Sequence, residues 1–199
     1  DPALAAWIAD GISFVSTSVD RITPRTTEAD VEAVKEACGY WDNCPVVAEP
    51  FRNWVLSGSF PAGRPRWEDA GAVFVDEIEP YENRKLWLLN GAHSLLAYAG
   101  QLRGHGTVAE ALADPVCHAA VERFWDEAEA NLTGAAAHGA DLQVPAYREQ
   151  LLARFRNARI AHHLAQIAMD GSTKLRMRAV PVLTAEREAG RTGEGAAAM

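Results

Sequence analysis

The pattern of hydrophobic and polar positions changes character near residue 80. Before it, short runs rich in β-branched and aromatic residues stop at proline and glycine, which is typical of strands and turns. From Pro80 onward the apolar positions follow a helical pattern. The sequence therefore predicts a mostly α-helical protein with a small β-containing segment on its N-terminal side.

The pattern also predicts individual elements. Thr27 followed by Asp30 resembles a capping box, which predicts a helix that ends at Cys38. Extended segments are predicted over 13–27, 44–51, 54–60 and 70–78, and a loop is predicted over 131–143. Further helices are predicted over 3–12 (without an N-terminal cap), 81–102, 107–113, 115–130, 145–157 and 159–169, with a turn at 170–172 and a last helix after it.

These elements divide the chain into three parts. We expect an α/β segment over residues 1–79, a helical domain over 80–185 and a flexible tail over 186–199. The 199 residues are enough for one domain with a real hydrophobic core.

Composition narrows the class of protein. A net charge of -8 argues against a nucleic-acid-binding surface, which usually carries a basic stripe. No apolar run approaches the roughly 18–20 residues that span a bilayer. The three cysteines have no metal-like spacing and indicate reduced thiols in a cytoplasmic protein.

Three polar residues stand out in the apolar stretch "KLWLLNGAHSLLAYAG", residues 85–100: Lys85, Asn90 and His93. On an α-helix Lys85 and His93 would lie about 80° apart, and Lys85 and Asn90 about 140° apart at opposite edges of one face. A lysine that loses solvation among apolar residues favours its neutral form and can act as a base. Asn90 could donate to a developing alkoxide, and His93 could hold a hydroxyl. The alternative is that Lys85 reaches solvent from the helix start and His93 is a hydrogen-bonded core histidine.

Two further clusters contain candidate site residues. In "QIAMDGSTKL" a tight turn at Gly171 places Lys174 at the start of a helix, where an ammonium would attract anionic or oxygen-rich groups. The alternative is a helix–turn–helix joint with a solvated lysine. In "SVDRITP" Asp20 is a candidate, although it could simply pair with Arg21 or another neighbour.

Several chemistries lack their sequence signatures. The histidines and cysteines form no metal-binding pattern, so no metal is expected. The chain also has no G-x-S-x-G, no Walker A loop and no G-x-G-x-x-G.

Together, the stretches "VDRITPRTT", "EPFRNWVLSGSFPAGRPRWEDAGAVFVDEIEPYENRKLWLLNGAHSLLAYAG" and "QIAMDGSTKL" resemble the long-chain mannitol dehydrogenase family. They occur in the family's order and cover most of residues 13–178, and the K-x-x-x-x-N-G-x-H-S element is specific. The resemblance implies a multi-helical, substrate-side domain similar to the C-terminal domain of 6-phosphogluconate dehydrogenase. Because no Gly-rich turn is present, we expect the C-terminal domain only, which alone should transfer hydride negligibly.

The resemblance also implies a role for each candidate residue. Lys85 matches the family's catalytic base, Asn90 the amide that stabilises the oxyanion, and His93 the histidine that holds the substrate. Asp20 and Lys174 match substrate-binding residues. Gln166 stands where some mannitol dehydrogenases have an arginine that binds the substrate, so it would offer a hydrogen bond without charge.

The implied function is that of a metal-independent, NAD-dependent oxidoreductase in the cytoplasm. The first hypothesis for its substrates is D-mannonate and D-fructuronate, and the second is mannitol or another polyol. A third is a helical binding fragment without activity. The expected partner is a small sugar alcohol or aldonate, and neither nucleic acid nor membrane is expected.

Overall fold

The computed structural model describes residues 1–135 and 140–199 and confirms a mostly helical protein with a small sheet. The strands are β1 (Ser16–Asp20), β2 (Asn53–Ser57) and β3 (Ala72–Phe74), and a 3₁₀ turn spans Trp67–Ala70. The helices are α1 (Pro2–Gly11), α2 (Glu28–Cys38), α3 (Glu79–Arg84), a π-helix (Lys85–Gly91), α4 (Ala92–Leu102), α5 (Val108–Ala113), α6 (Pro115–Ala135), α7 (Val144–Phe155), α8 (Leu164–Ala168), α9 (Gly171–Arg178), α10 (Val180–Glu188) and α11 (Glu194–Ala197).

The sheet brings one end of β1 to the helical part of the protein. β2 is central and pairs antiparallel with β1, in a register that sets Asp20 opposite Asn53, and parallel with β3. Within β1 only Asp20 is buried. A buried carboxylate at a strand end requires partners from another element, and α7 provides them.

Short-range signals in the sequence identified several helix starts correctly. Thr27 accepts from the backbone N–H of Asp30 while the Asp30 carboxylate accepts from the N–H of Thr27, which is the predicted capping box. Thr107 and Glu110 form a second one at the start of α5. The first helix does have a cap, contrary to the prediction, because Asp1 accepts from the N–H of Ala3 at 2.9 Å.

The helix predicted over 81–102 is not one continuous α-helix. Its middle is a π-helix, in which hydrogen bonds join residues five apart. The indole N–H of Trp125 donates to the carbonyl of Leu88 at 2.8 Å, inside this segment. A side chain that takes a helical carbonyl replaces a backbone donor, which favours a local departure from α-helical bonding.

Other sequence predictions also need correction. Residues 44–51 form no strand, because Pro45 and Pro50 lack the N–H that a strand ladder needs. The loop predicted over 131–143 begins later, since α6 continues to Ala135, and residues 136–139 lie outside the described residues. The tail expected to be flexible contains α11, in which Gly195 and Ala196 are buried and donate their N–H groups to Glu127.

The hydrophobic core lies among the helices and surrounds the π-helix. Leu88 and Leu96 are fully buried and belong to the same core cluster as Phe124 and Trp125 of α6 and Phe155 of α7. The large, fully buried core side chains are Leu88, Leu95, Leu96, Val121, Phe124, Trp125, Leu132, Leu151, Leu164 and Val182. No helix in the described part of the chain is long and apolar enough to cross a membrane.

Gly91 provides a test of this packing. A Cβ at this position would lie 2.4 Å from Cε1 of the fully buried Phe124 ring. We expect Gly91→Ala to lower the free energy of unfolding by about 1–3 kcal/mol, measured by urea denaturation, because the overpacked ring must shift. Gly106→Ala is the control, since its Cβ would meet only Glu110 Oε2 at 3.5 Å and should not lower stability. Equal stability of the two variants would contradict the close contact.

Candidate active site

Lys85 connects the π-helix to the sheet. Its side chain is half-buried, and its amine donates a hydrogen bond to the backbone carbonyl of Val19, next to Asp20. Because hydrogen bonds in a π-helix join residues five apart, Lys85 and Asn90 lie on the same side of this segment. The predicted separation of about 140° assumed an α-helix and does not apply to this π-helical segment.

Asp20 is held by the α7 helix and not by its neighbour in sequence. Its carboxylate accepts from the Tyr147 hydroxyl at 2.6 Å and from two nitrogens of Arg154 at 2.7 and 3.1 Å. Arg21 instead donates to the carbonyl of Glu49. Burial, followed by the charge of Asp20, raises the pKa of Tyr147, so the phenol stays protonated and donates. Asp20 is only 3% exposed, so its substrate-binding role stays a prediction.

Arg154 joins two buried carboxylates. It donates to Glu49 at 2.7 and 2.9 Å in addition to Asp20, and Glu49 also accepts from the backbone N–H of Ile22. The hydrogen bonds and charges of the two carboxylates outweigh the effect of burial and raise the pKa of Arg154. This cluster fixes the end of β1, and with it the Val19 carbonyl that holds Lys85.

His93 is buried and keeps one nitrogen without a partner. Its ring lies 4.6 Å from that of Phe155 and 4.8 Å from that of His162, measured between centroids. Nε2 has no hydrogen-bond partner in the described part of the chain, and the ring lines a cavity of about 10 Å³, room for about one water molecule. Burial, followed by the positive charges of His162, Arg154 and Arg178, holds the pKa of His93 well below its ordinary value. The imidazole is therefore neutral at physiological pH, so one ring nitrogen can donate a hydrogen bond and the other can accept one.

Asn90 is fixed through its backbone. Arg178 of α9 donates from Nη1 to the Asn90 carbonyl at 3.1 Å and to the Ser94 hydroxyl at 2.9 Å. Lys174, one turn earlier on α9, donates to the carbonyl of Ile167 at 2.8 Å. Burial, followed by the charge of Arg178, lowers the pKa of Lys174. Lys174 is thus a half-buried group and not the solvated lysine of the alternative interpretation.

The structure does not bring every candidate together. Gln166 is exposed and lines a separate depression with Thr27, Arg159 and His163. No group of three or more metal-binding side chains that could hold a metal ion occurs among residues 1–135 and 140–199.

Two structural partners escaped the sequence analysis. Arg154 and Tyr147 lie 134 and 127 positions from Asp20, and no motif marks either of them. The only available signal was the buried character of their helix, with Tyr147, Leu151 and Phe155 at helical spacing.

The contribution of the Arg154 ion pairs with Asp20 and Glu49 to stability can be tested by mutation. Arg154→Leu would leave two buried carboxylates without their cation, so we expect the free energy of unfolding to fall by about 3–5 kcal/mol in urea denaturation. Arg156→Leu, at the exposed residue that follows the end of α7, should change it by less than about 0.5 kcal/mol. Similar losses in both variants would show that the ion pairs do not stabilise this region.

Comparisons with known proteins match this architecture in two parts. The model described as "Mannitol dehydrogenase Rossmann domain" matches residues 1–69, and the model described as "Mannitol dehydrogenase C-terminal domain" matches residues 77–197. The expectation that the chain holds the C-terminal domain only was therefore wrong, because its first third matches the other domain.

Individual relatives agree with the family models. D-mannonate oxidoreductase of Escherichia coli is 42% identical over 178 residues, which is 89% of this chain and 36% of that protein. Mannitol 2-dehydrogenase of Aspergillus terreus is 38% identical over 178 residues, 88% of this chain and 35% of that protein. The chain thus spans about a third of the length of these curated relatives.

A solved structure shows the same fold. Mannitol 2-dehydrogenase of Pseudomonas fluorescens, in a ternary complex with NAD and D-mannitol, superposes with a TM-score of 0.84 at 38% identity. The match covers 99% of this chain and 39% of that one. These matches and the C-terminal domain model, which alone spans more than half of the residues, show that the chain belongs to the mannitol dehydrogenase family of oxidoreductases.

Proposed function

We propose that this chain provides the substrate-side catalytic groups of an NAD-dependent oxidoreductase that interconverts D-mannonate and D-fructuronate. The observation that supports it best is the position of Lys85, half-buried on a π-helix that also carries Asn90 and fixed by the Val19 carbonyl. The choice of substrate is supported by the 42% identity to a D-mannonate oxidoreductase.

Lys85 acts as the base in this proposal. Oxidation of a secondary alcohol removes the proton from the hydroxyl oxygen and a hydride from the carbon that bears this oxygen, which leaves a ketone. A neutral lysine amine has a lone pair for the proton while one N–H keeps its hydrogen bond to Val19, so the group stays in place during transfer. In the reverse direction the ammonium returns the proton to the alkoxide.

Asn90 and His93 position the reacting oxygen. The Asn90 side-chain amide donates to the oxygen as negative charge develops on it, and its backbone is fixed by Arg178. His93 offers the unpartnered Nε2 to a substrate hydroxyl, which would give that buried atom a partner. Both groups lower the cost of orienting the substrate.

NAD, when bound, supplies the acceptor for the hydride. Its use is supported by the match to the family's Rossmann domain and by the relative whose complex contains NAD. The sequence has no G-x-G-x-x-G turn to bind its pyrophosphate, so no residue of this chain is assigned to the nucleotide. Residues 85–93 instead fit the substrate end of the reaction.

A polyol such as mannitol is the second candidate substrate. The structural likeness to a mannitol 2-dehydrogenase, with a TM-score of 0.84, favours it. For either substrate we propose an enzyme that acts on a small molecule in the cytoplasm. The cytoplasmic location is supported by the free thiols of Cys38, Cys44 and Cys117.

Removing the base should abolish most of the activity. We expect Lys85→Ala in the full-length protein that the gene encodes to lower kcat by about 10²–10⁴-fold, because general base catalysis contributes on that order. The measurement is NADH formation from D-mannonate, with added ethylamine as a replacement base expected to restore part of the rate. Lys35→Ala, at a lysine paired with Glu32 on the surface of α2, should leave the rate unchanged. A Lys85→Ala rate close to that of the unaltered protein would exclude the proposed role.

Substrate preference is a separate prediction. We expect kcat/KM for D-mannonate to exceed that for D-mannitol in the unaltered protein, at equal NAD concentration. A preference for D-mannitol would support the second candidate, and the absence of turnover with either would argue for a binding role without catalysis.

A further inference from the structure

Arg178 is a half-buried cation next to the candidate active site. Its Nη1 donates to the Asn90 carbonyl and the Ser94 hydroxyl, which are both uncharged acceptors. Burial lowers the pKa of Arg178, and the nearby Tyr98 phenol opposes that effect. An arginine stays charged after such a shift, so a positive charge lies beside the residue proposed to hold the reacting oxygen.

Unlike Arg148, Arg154 and Arg191, Arg178 has no carboxylate partner within the described ranges. Its Nη2 and Nε donate to no protein acceptor there, and neither atom is sealed from solvent. A partly buried charge without a counter-ion is costly, which makes this position favourable for an anion that arrives with a ligand.

Lys174 and Tyr98 lie close enough to Arg178 to interact with it electrostatically. Lys174 lies one turn earlier on α9, and residues four apart on a helix are neighbours. The Tyr98 hydroxyl is buried without a hydrogen-bond partner, at 3.1 Å from where a Cβ on Gly171 would lie. The free edge of the Arg178 guanidinium can bind both oxygens of a carboxylate, whereas a hydroxymethyl group offers only one oxygen and no charge.

We propose that Arg178, assisted by Lys174, binds the carboxylate of a sugar-acid substrate and selects aldonates over the corresponding alditols. This inference rests on the proposed function and deepens it, because the carboxylate is what distinguishes D-mannonate from D-mannitol. Arg178 would thereby perform two tasks, binding the acid end of the substrate and fixing the backbone of Asn90.

The test compares kcat/KM for D-mannonate and for D-mannitol in each variant of the full-length protein that the gene encodes. We expect Arg178→Gln to lower kcat/KM for D-mannonate by about 10- to 100-fold more than for D-mannitol, the range of a hydrogen bond between charged groups. Any loss through Asn90 affects both substrates and cancels in the ratio of the two values. Arg178→Lys keeps the charge but loses the two-pronged geometry, so an intermediate fall in the ratio of kcat/KM for D-mannonate to that for D-mannitol is expected. Arg176→Gln is the matched control, since it removes an exposed charge from the same helix and should leave the ratio of the two values unchanged.

Calorimetric titration of D-mannonate into the protein without NAD provides a second readout, in which Arg178→Gln should weaken binding by a similar factor. Equal losses for D-mannonate and D-mannitol would assign Arg178 to positioning Asn90 alone and overturn this inference, while the proposed oxidoreductase would stand. An unaltered protein that neither oxidises nor binds either compound would overturn the proposed function and this inference with it.

Discussion

The buried pairing of Arg154 with Asp20 and Glu49 is the interaction on which the rest of the site depends. One guanidinium from α7 meets two carboxylates from the β-containing segment, all at 6% exposure or less. Charges withdrawn from water in this way are tolerated only when every partner is present, so the cluster enforces one placement of β1 against the helices. That placement sets the Val19 carbonyl, and the carbonyl in turn sets the Lys85 amine.

The π-helix sets the directions of the candidate site residues relative to this scaffold. Its five-residue hydrogen-bonding period brings Lys85 and Asn90 to the same side, and Trp125 stabilises it by taking the Leu88 carbonyl. Departures from α-helical bonding are frequent at functional sites, because they re-aim side chains that a regular helix would separate. The site is therefore built from a local irregularity that surrounding packing maintains.

Sequence patterns predicted the parts of this structure that depend on near neighbours. The capping boxes at Thr27 and Thr107 are each formed by residues three apart, so no tertiary information is needed to recognise them. The box at Thr27 was predicted from the sequence. The π-helix could not be predicted, because it depends on an indole 37 positions from Leu88 and on a ring that fits only above a glycine. Asp20 was identified as a candidate, but its partner lies 134 positions away, and no local pattern specifies such a pairing.

The hydrogen bond from Lys85 to Val19 joins residues that belong to the two different family domains, one within 1–69 and the other within 77–197. The segment matched by the C-terminal domain model therefore carries the amine, and the segment matched by the Rossmann domain model provides the carbonyl that orients it. A small rotation between the two halves would change the direction of the lone pair without altering a single torsion angle in the π-helix. In the proposed mechanism, the direction of the Lys85 lone pair would therefore depend on how the segments matched by the two family models are oriented.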